Sequence, residues 1–112
     1  MIQDKDKQIT GLEISSSDGI ETIKARSVVL ACGGFESNPE MRARYLGPGW
    51  DLARVRATKH SMGDGIKMAI DIGARAYGNW SGCHSVGWDI SAPEYGDYEV
   101  LDNFQKHSYL WV

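Results

Sequence analysis

The sequence predicts an α+β fold built from a β-meander and two helices. Apolar and polar residues alternate over 8–15 and 20–24, and an almost continuous apolar run covers 27–31. Helix-start signals follow at Asn38-Pro39-Glu40 and at Gly63-Asp64-Gly65. A chain of 112 residues, 42% hydrophobic and 24% charged, has the composition of one globular domain with a modest core.

The first part of the chain carries three predicted strands. The alternation predicts two half-exposed strands over 8–15 and 20–24, and Ser16-Ser17-Asp18-Gly19 predicts the turn between them. The run from Ser27 to Ala31 is typical of a strand buried on both faces. We therefore expect a three-stranded meander that belongs beside another sheet.

The first predicted helix begins at Asn38-Pro39-Glu40. The asparagine can cap free N–H groups, the proline fits the first turn, and the glutamate suits the positive end of the helix dipole. We expect this helix to run to about Tyr45 and to end at Gly47-Pro48-Gly49. An irregular basic segment is predicted over 50–62.

The second predicted helix opens at Gly63-Asp64-Gly65 and has Gly73 as its C-terminal cap. Its apolar residues fall on one stripe at helical spacing, namely Ile66, Ala69 and Ile70. Beyond it, the chain is rich in glycine and aromatic residues. We expect loops and short strands from about 78 to 100.

Charge and cysteine content exclude several classes of protein. A formal net charge of -3, with no basic cluster, argues against a nucleic-acid partner. The sequence shows no apolar run of membrane-span length and no signal-peptide core at its start. Cys32 and Cys83 lie far apart, so reduced thiols in a cytoplasmic protein are expected, with a disulfide between them left open.

Three features are candidates for chemistry, each with a structural alternative. The run that ends at Gly33-Gly34 is either a tight turn or a place where backbone approaches a flat or charged ligand. Asp64 is either an N-cap or an acceptor for a ligand hydroxyl or imide N–H. His84 is either a packing residue or a ligand for a carboxylate or metal.

Other sites are disfavoured by spacing. The cysteines and histidines lack the close pairs of a zinc site, and no Gly-x-Ser-x-Gly elbow of a hydrolase occurs. A complete dinucleotide fingerprint is also missing, because the glycines at 47 and 49 and at 63 and 65 lack the third glycine. The aromatic residues either stack a planar ligand or pack against a neighbour.

Two strings resemble the flavoprotein family of soluble fumarate reductases, succinate dehydrogenase flavoprotein subunits and 3-ketosteroid dehydrogenases. They are the run from Ala25 to Phe35 and Gly63-Asp64-Gly65-Ile66-Lys67-Met68-Ala69, with His84 about twenty residues further on. The chain is most similar to the tricarballylate dehydrogenase subfamily. That similarity rests on residues 45–51, 80–84 and 104–109.

The resemblance implies roles for particular residues. Ala31, Cys32, Gly33 and Gly34 match a turn that passes close to FAD, with Cys32 where threonine is common. Asp64 matches an aspartate near the flavin, although Met62 stands where a threonine usually precedes that motif. His84 matches a histidine that holds a substrate carboxylate. A catalytic acid or base is not found in the chain.

The resemblance also implies the parent protein. It predicts an internal fragment, with residues 1–82 from a Rossmann-like FAD-binding domain and residues 83–112 from the start of a capping domain. The expected activity is FAD-dependent oxidation of tricarballylate to cis-aconitate, with a fumarate-reductase-like enzyme or a cofactor-free α+β module as alternatives. Expected partners are a tricarboxylate or dicarboxylate substrate, an electron-acceptor protein as an open question, and a second copy of the fragment through self-association.

Overall fold

The computed structural model describes residues 1–85, 91 and 93–96. Its contacts divide the chain into two units. The sheet unit comprises Met1–Cys32 and Asp64–Tyr77, and the loop unit comprises Gly33–Gly63 with the described residues from Gly78 onward. No helix among the described residues is both long and apolar enough to span a membrane.

The sheet unit contains an antiparallel sheet in the order β1-β2-β3. Its strands are β1 (Ile2–Gln3), β2 (Ile9–Ser16) and β3 (Gly19–Lys24). The pairing of Ser16 with Gly19 closes the hairpin between β2 and β3. The predicted strands over 8–15 and 20–24 and the turn between them are therefore confirmed.

The predicted strand over 27–31 is wrong. Residues 27–31 have no regular secondary structure, and the Val29 side chain is 87% exposed. The third strand of the sheet is instead Ile2–Gln3, which the sequence analysis missed. A strand buried on both faces needs neighbours to pair with its backbone, and none of the described strands pairs with this run.

Helix α1 (Pro39–Tyr45) forms as predicted, in the loop unit. Asn38 is its N-cap, since its Oδ1 accepts a hydrogen bond from the Met41 N–H at 3.0 Å. The helix ends before Gly47, whose φ of 116° is one that glycine adopts without strain. A 3-10 helix at Trp50–Leu52 follows, within the segment predicted to be irregular.

Helix α2 (Asp64–Asp71) also forms as predicted, in the sheet unit. Gly73 has a φ of 94° and donates its N–H to the Ile70 carbonyl at 2.9 Å. The Ala74 N–H reaches the Ala69 carbonyl at 3.0 Å. This pair of bonds is the Schellman arrangement, and it confirms Gly73 as the C-terminal cap.

Burial in the described residues is concentrated in the loop unit. Val55 is 7% exposed and donates its N–H to the Glu94 carbonyl at 3.0 Å. Three polar residues are buried with it in the same unit, at 1% exposure for Ser37, 5% for Arg42 and 6% for Ser61. Residues 78–85, where loops and short strands are expected, contain no helix or strand. Part of the remaining expected segment to residue 100, and most of the predicted capping segment 83–112, lie outside the described residues.

Candidate functional site

The turn at Gly33-Gly34 lies in the loop unit and exposes its backbone. Gly33 has a φ of 76°, a conformation that side chains other than glycine rarely adopt. A Cβ built on Gly33 would lie 3.1 Å from the Ser61 Oγ. Gly33 is exposed, and its backbone borders a hydroxyl group.

Glu36 sets the electrostatics beside the same turn. A Cβ built on Gly34 would lie 2.8 Å from one carboxylate oxygen of Glu36. A negative charge at this place repels a phosphate group, whereas it tolerates an uncharged planar ring with polar edges. The turn is therefore a better place for an uncharged polar group than for a phosphate.

Residues Ala31 and Cys32 belong to the sheet unit, where Cys32 contacts the start of α2. A Cβ on Gly65 would collide with the Cys32 Sγ, and it would lie 3.9 Å from the Leu30 Cβ. Glycine is therefore needed at 65 to let the cysteine pack against the first turn of the helix. Inside this unit, the structure brings the end of the apolar run and the first turn of α2 together.

Asp64 is exposed at the first position of α2. Its carboxylate accepts no hydrogen bond from any described residue, so the structural alternative of a side-chain cap gains no support. A free carboxylate at a helix N-terminus can accept a hydrogen bond from a ligand N–H or O–H. The proposed contact between Asp64 and the flavin stays a prediction.

The segment of residues 58–63 is held by the start of α1, which the sequence analysis missed. The Ser37 Oγ donates to the Thr58 carbonyl at 2.6 Å, and the Ser37 N–H donates to the Ser61 carbonyl at 2.9 Å. Asn38 donates its Nδ2 to the Met62 carbonyl at 2.9 Å while its Oδ1 caps the helix. The Asn-Pro signal predicts the cap, but it does not predict the bond from Asn38 to Met62, which lies 24 residues further along the chain.

Arg42 is a second residue that the sequence analysis missed. Its guanidinium donates to three backbone carbonyls of the loop unit, at 2.5 Å to Glu36, 2.8 Å to Trp50 and 2.8 Å to Asp51. These bonds connect Glu36, before α1, and the 3-10 helix after α1 to a single side chain. In the sequence, Arg42 resembles any charged residue of a short surface helix.

Trp80 packs in an aromatic cluster of the loop unit, four residues before His84. Its ring lies 4.9 Å from the Tyr45 ring and 6.3 Å from the Phe35 ring, centroid to centroid. Mutual packing thus accounts for these three aromatic residues. Tyr77, by contrast, is 85% exposed.

His84 is exposed and has no hydrogen bond to a described residue, so its side chain is free to meet a ligand. His60 is also exposed, and His107 lies outside the described residues. Cys32 and Cys83 are both exposed free thiols. Within the described part of the chain, no cluster of His, Cys, Asp and Glu could hold a metal ion.

Comparison with known proteins identifies the family. Vinyl phenol reductase of Lactiplantibacillus plantarum is 35% identical over 80 residues, which are 68% of this chain and 16% of that protein's length. No solved structure matches the chain. Residues 1–84 match the FAD binding domain family, which confirms the predicted cofactor and counts against the cofactor-free alternative. The chain belongs to the FAD binding domain family of flavoproteins.

Proposed function

We propose that this chain is an internal segment of an FAD-dependent oxidoreductase that acts on a carbon–carbon bond between carboxylates. The observation that carries the proposal is the open glycine turn of Gly33-Gly34, in a chain whose residues 1–84 match an FAD binding domain. The chain spans 16% of the length of the curated relative described above, which supports a much longer parent protein. As domain organisation we propose residues 1–82 for the FAD domain and 83–112 for the start of a capping domain.

The residues of this chain have distinct proposed tasks toward FAD. Ala31, Cys32, Gly33 and Gly34 present backbone that the cofactor can approach, and Asp64 offers its carboxylate as a hydrogen-bond acceptor. When bound, FAD supplies a two-electron acceptor for a hydride. These residues bind and orient the cofactor, because none of them can itself accept a hydride.

We propose tricarballylate as the substrate and cis-aconitate as the product. The reaction removes a hydride from one carbon, which the cofactor takes up, and a proton from the neighbouring carbon, which passes to a basic group outside this chain. His84 donates a hydrogen bond to one substrate carboxylate and so orients the carbon–carbon bond. Its exposure and its lack of a partner among the described residues support this role.

The reverse direction is the second candidate. One relative of this chain is named vinyl phenol reductase, and a vinyl group contains a carbon–carbon double bond. A fumarate-like acceptor reduced at the same kind of site would leave the proposed roles of His84 and Asp64 unchanged. The flavin potential and the electron partner, for which an electron-transfer protein is a candidate, would decide the direction.

Anaerobic mixing tests the proposal. The full-length protein, purified with its flavin oxidised, is mixed with tricarballylate, and the visible flavin band is recorded. We expect the band to bleach and cis-aconitate to form in equal amount. If tricarballylate has no effect while the reduced protein is reoxidised by fumarate, the second candidate is correct. Reoxidation by vinyl phenol but not by fumarate contradicts a substrate held by its carboxylates. A purified protein without a flavin band contradicts both.

We also propose a cytoplasmic location and self-association of the isolated 112-residue chain. Reduced, exposed Cys32 and Cys83 support the first proposal. Exposed apolar side chains of the sheet unit support the second, including Ile20 at 74% and Val29 at 87%. The isolated chain is also expected to bind FAD only weakly, since the sequence lacks a complete dinucleotide fingerprint.

A further inference from the structure

Two serines are buried in the loop unit, but only one has its hydroxyl bonded. Ser37 is 1% exposed, and its Oγ donates to the Thr58 carbonyl at 2.6 Å. Ser61 is 6% exposed, and its hydroxyl has no hydrogen-bond partner among the described residues. The Ser61 hydroxyl is therefore available for a hydrogen bond with a ligand.

The Ser61 hydroxyl points toward the Gly33-Gly34 turn. A Cβ built on Gly33 would lie 3.1 Å from the Ser61 Oγ and 3.7 Å from the Ser61 Cβ. The oxygen is therefore the nearer atom. It retains contact with solvent, because no fully enclosed side-chain oxygen or nitrogen in the described residues lacks a partner.

Backbone bonds fix Ser61 in this place. Its carbonyl accepts the Ser37 N–H at 2.9 Å, and the next residue, Met62, accepts the Asn38 Nδ2 at 2.9 Å. The Thr58 carbonyl, before Ser61, accepts the Ser37 hydroxyl, so the main chain on both sides of Ser61 is tied to the start of α1. The hydroxyl is thus held beside the turn in advance. Such preorganisation is the property that a ligand-binding group needs.

We propose that Ser61 is an FAD-binding residue, whose hydroxyl forms a hydrogen bond with a polar atom of the cofactor at the Gly33-Gly34 turn. This inference rests on the proposed placement of FAD at that turn. It adds an uncharged side-chain hydroxyl to the backbone groups of the turn.

The test compares Ser61→Ala, Ser61→Thr and Ser37→Ala in the full-length protein after removal of the flavin. Two quantities are measured for each: the Kd for FAD by fluorimetric titration, and the melting temperature of the flavin-free protein. We expect Ser61→Ala to weaken FAD binding by roughly two- to tenfold, the loss typical of one hydrogen bond, with an unchanged melting temperature. Ser61→Thr keeps the hydroxyl and should stay within about twofold of the wild-type Kd.

Ser37→Ala is the matched control, because it removes a buried hydroxyl that is already bonded inside the chain. It should lower the melting temperature. If Ser61→Ala lowers the melting temperature as Ser37→Ala does, or leaves the Kd unchanged, the inference on Ser61 is wrong while the proposed function stands. If the wild-type protein itself does not bind FAD, the proposed function fails and this inference fails with it.

Discussion

The sheet unit and the loop unit differ in what forms hydrogen bonds with their backbone groups. In the sheet unit, strands β1 to β3 pair with one another, and apolar side chains remain outside, with Ile20 74% and Val29 87% exposed. In the loop unit, buried polar side chains bond to the carbonyls of irregular segments, as Arg42 does at 5% exposure. One unit depends on a repeating backbone pattern and the other on a few individual residues.

Because of this difference, we expect single substitutions to reduce stability more in the loop unit than in the sheet unit. A β-ladder shares its stability over many similar bonds, so one exposed side chain contributes little. A loop fastened by one guanidinium loses several bonds at once, and each carbonyl left without a partner adds to the cost. Residues near the candidate flavin turn therefore fall into two groups, those that hold the loops and those that are free to meet a ligand.

Arg42→Met should be the most destabilising change. Methionine retains much of the side-chain length but removes the guanidinium donor from the Glu36 and Asp51 carbonyls. The Trp50 carbonyl also loses this donor and keeps only the Ala53 N–H at 3.3 Å. We expect a loss of about 3 kcal/mol or more in the free energy of unfolding, measured by urea denaturation of the full-length protein. Arg44→Met is the control: Arg44 is exposed on the same helix and lies 5.8 Å from the Tyr45 ring centroid, so about 1 kcal/mol or less is expected. Equal losses for both would refute the proposed clamp.

Gly63→Ala and Gly73→Ala compare the two units directly. Both glycines have positive φ, 86° and 94°, so alanine is strained at either position. At Gly63 a Cβ would also lie 2.6 Å from the Met41 Sδ, whereas at Gly73 nothing lies within 4 Å. We expect losses of roughly 2–4 kcal/mol for Gly63→Ala and roughly 1–2 kcal/mol for Gly73→Ala. If thermal denaturation shows that Gly73→Ala is the more destabilising of the two, the packing around Gly63 is not tighter than that around Gly73.

His84→Ala should alter kinetics and leave stability unchanged, because His84 is exposed and bonded to none of the described residues. Loss of its hydrogen bond to a carboxylate should lower kcat/KM of the full-length enzyme by about ten- to a hundredfold. FAD content should not change. His60→Ala is the matched control with the wild-type kcat/KM expected. A kinetic loss in the His60 variant alone would transfer the carboxylate-binding role to His60.

Val29→Lys should have the smallest effect on stability, within about 0.5 kcal/mol, since Val29 is 87% exposed. Its effect on self-association of the 112-residue chain should be large, because a charge interrupts the exposed apolar run of the sheet unit. Light scattering should report a lower average mass than for the wild type. Leu52→Lys places the same charge at an 82% exposed position of the loop unit, and there the mass should not fall. A monodisperse wild-type monomer would contradict the self-association.

Local signals in the sequence were sufficient for the elements that organise themselves locally. The hairpin of β2 and β3 follows from alternation and a turn, and α1 and α2 follow from Asn38 and Gly73 at their ends. These features require only residues close in the chain. The cofactor was also predicted from short strings of neighbouring residues, and the match of residues 1–84 to an FAD binding domain confirms it.

Long-range partners account for what the sequence did not predict. The run 27–31 has strand composition but no described strand beside it. Arg42 and Ser61 have ordinary sequence surroundings, and their burial depends on segments that fold back over α1. Asn38 was predicted as a cap, whereas its bond to Met62 was not, because that carbonyl comes from residues far along the chain.

Asp64 provides the most direct test of the central claim that this chain contributes to an FAD site. The FAD Kd and the melting temperature of the flavin-free full-length protein are measured for wild type, Asp64→Ala and Asp71→Ala. Asp71 is the control, since it is an exposed aspartate at the other end of α2. There its negative charge meets the negative end of the helix dipole, which is unfavourable. We predict about tenfold or greater weakening of FAD binding for Asp64→Ala at a nearly unchanged melting temperature, and wild-type affinity for Asp71→Ala. Normal FAD affinity combined with a lower melting temperature in Asp64→Ala would contradict the account, because it would make Asp64 a helix-terminal charge and no more.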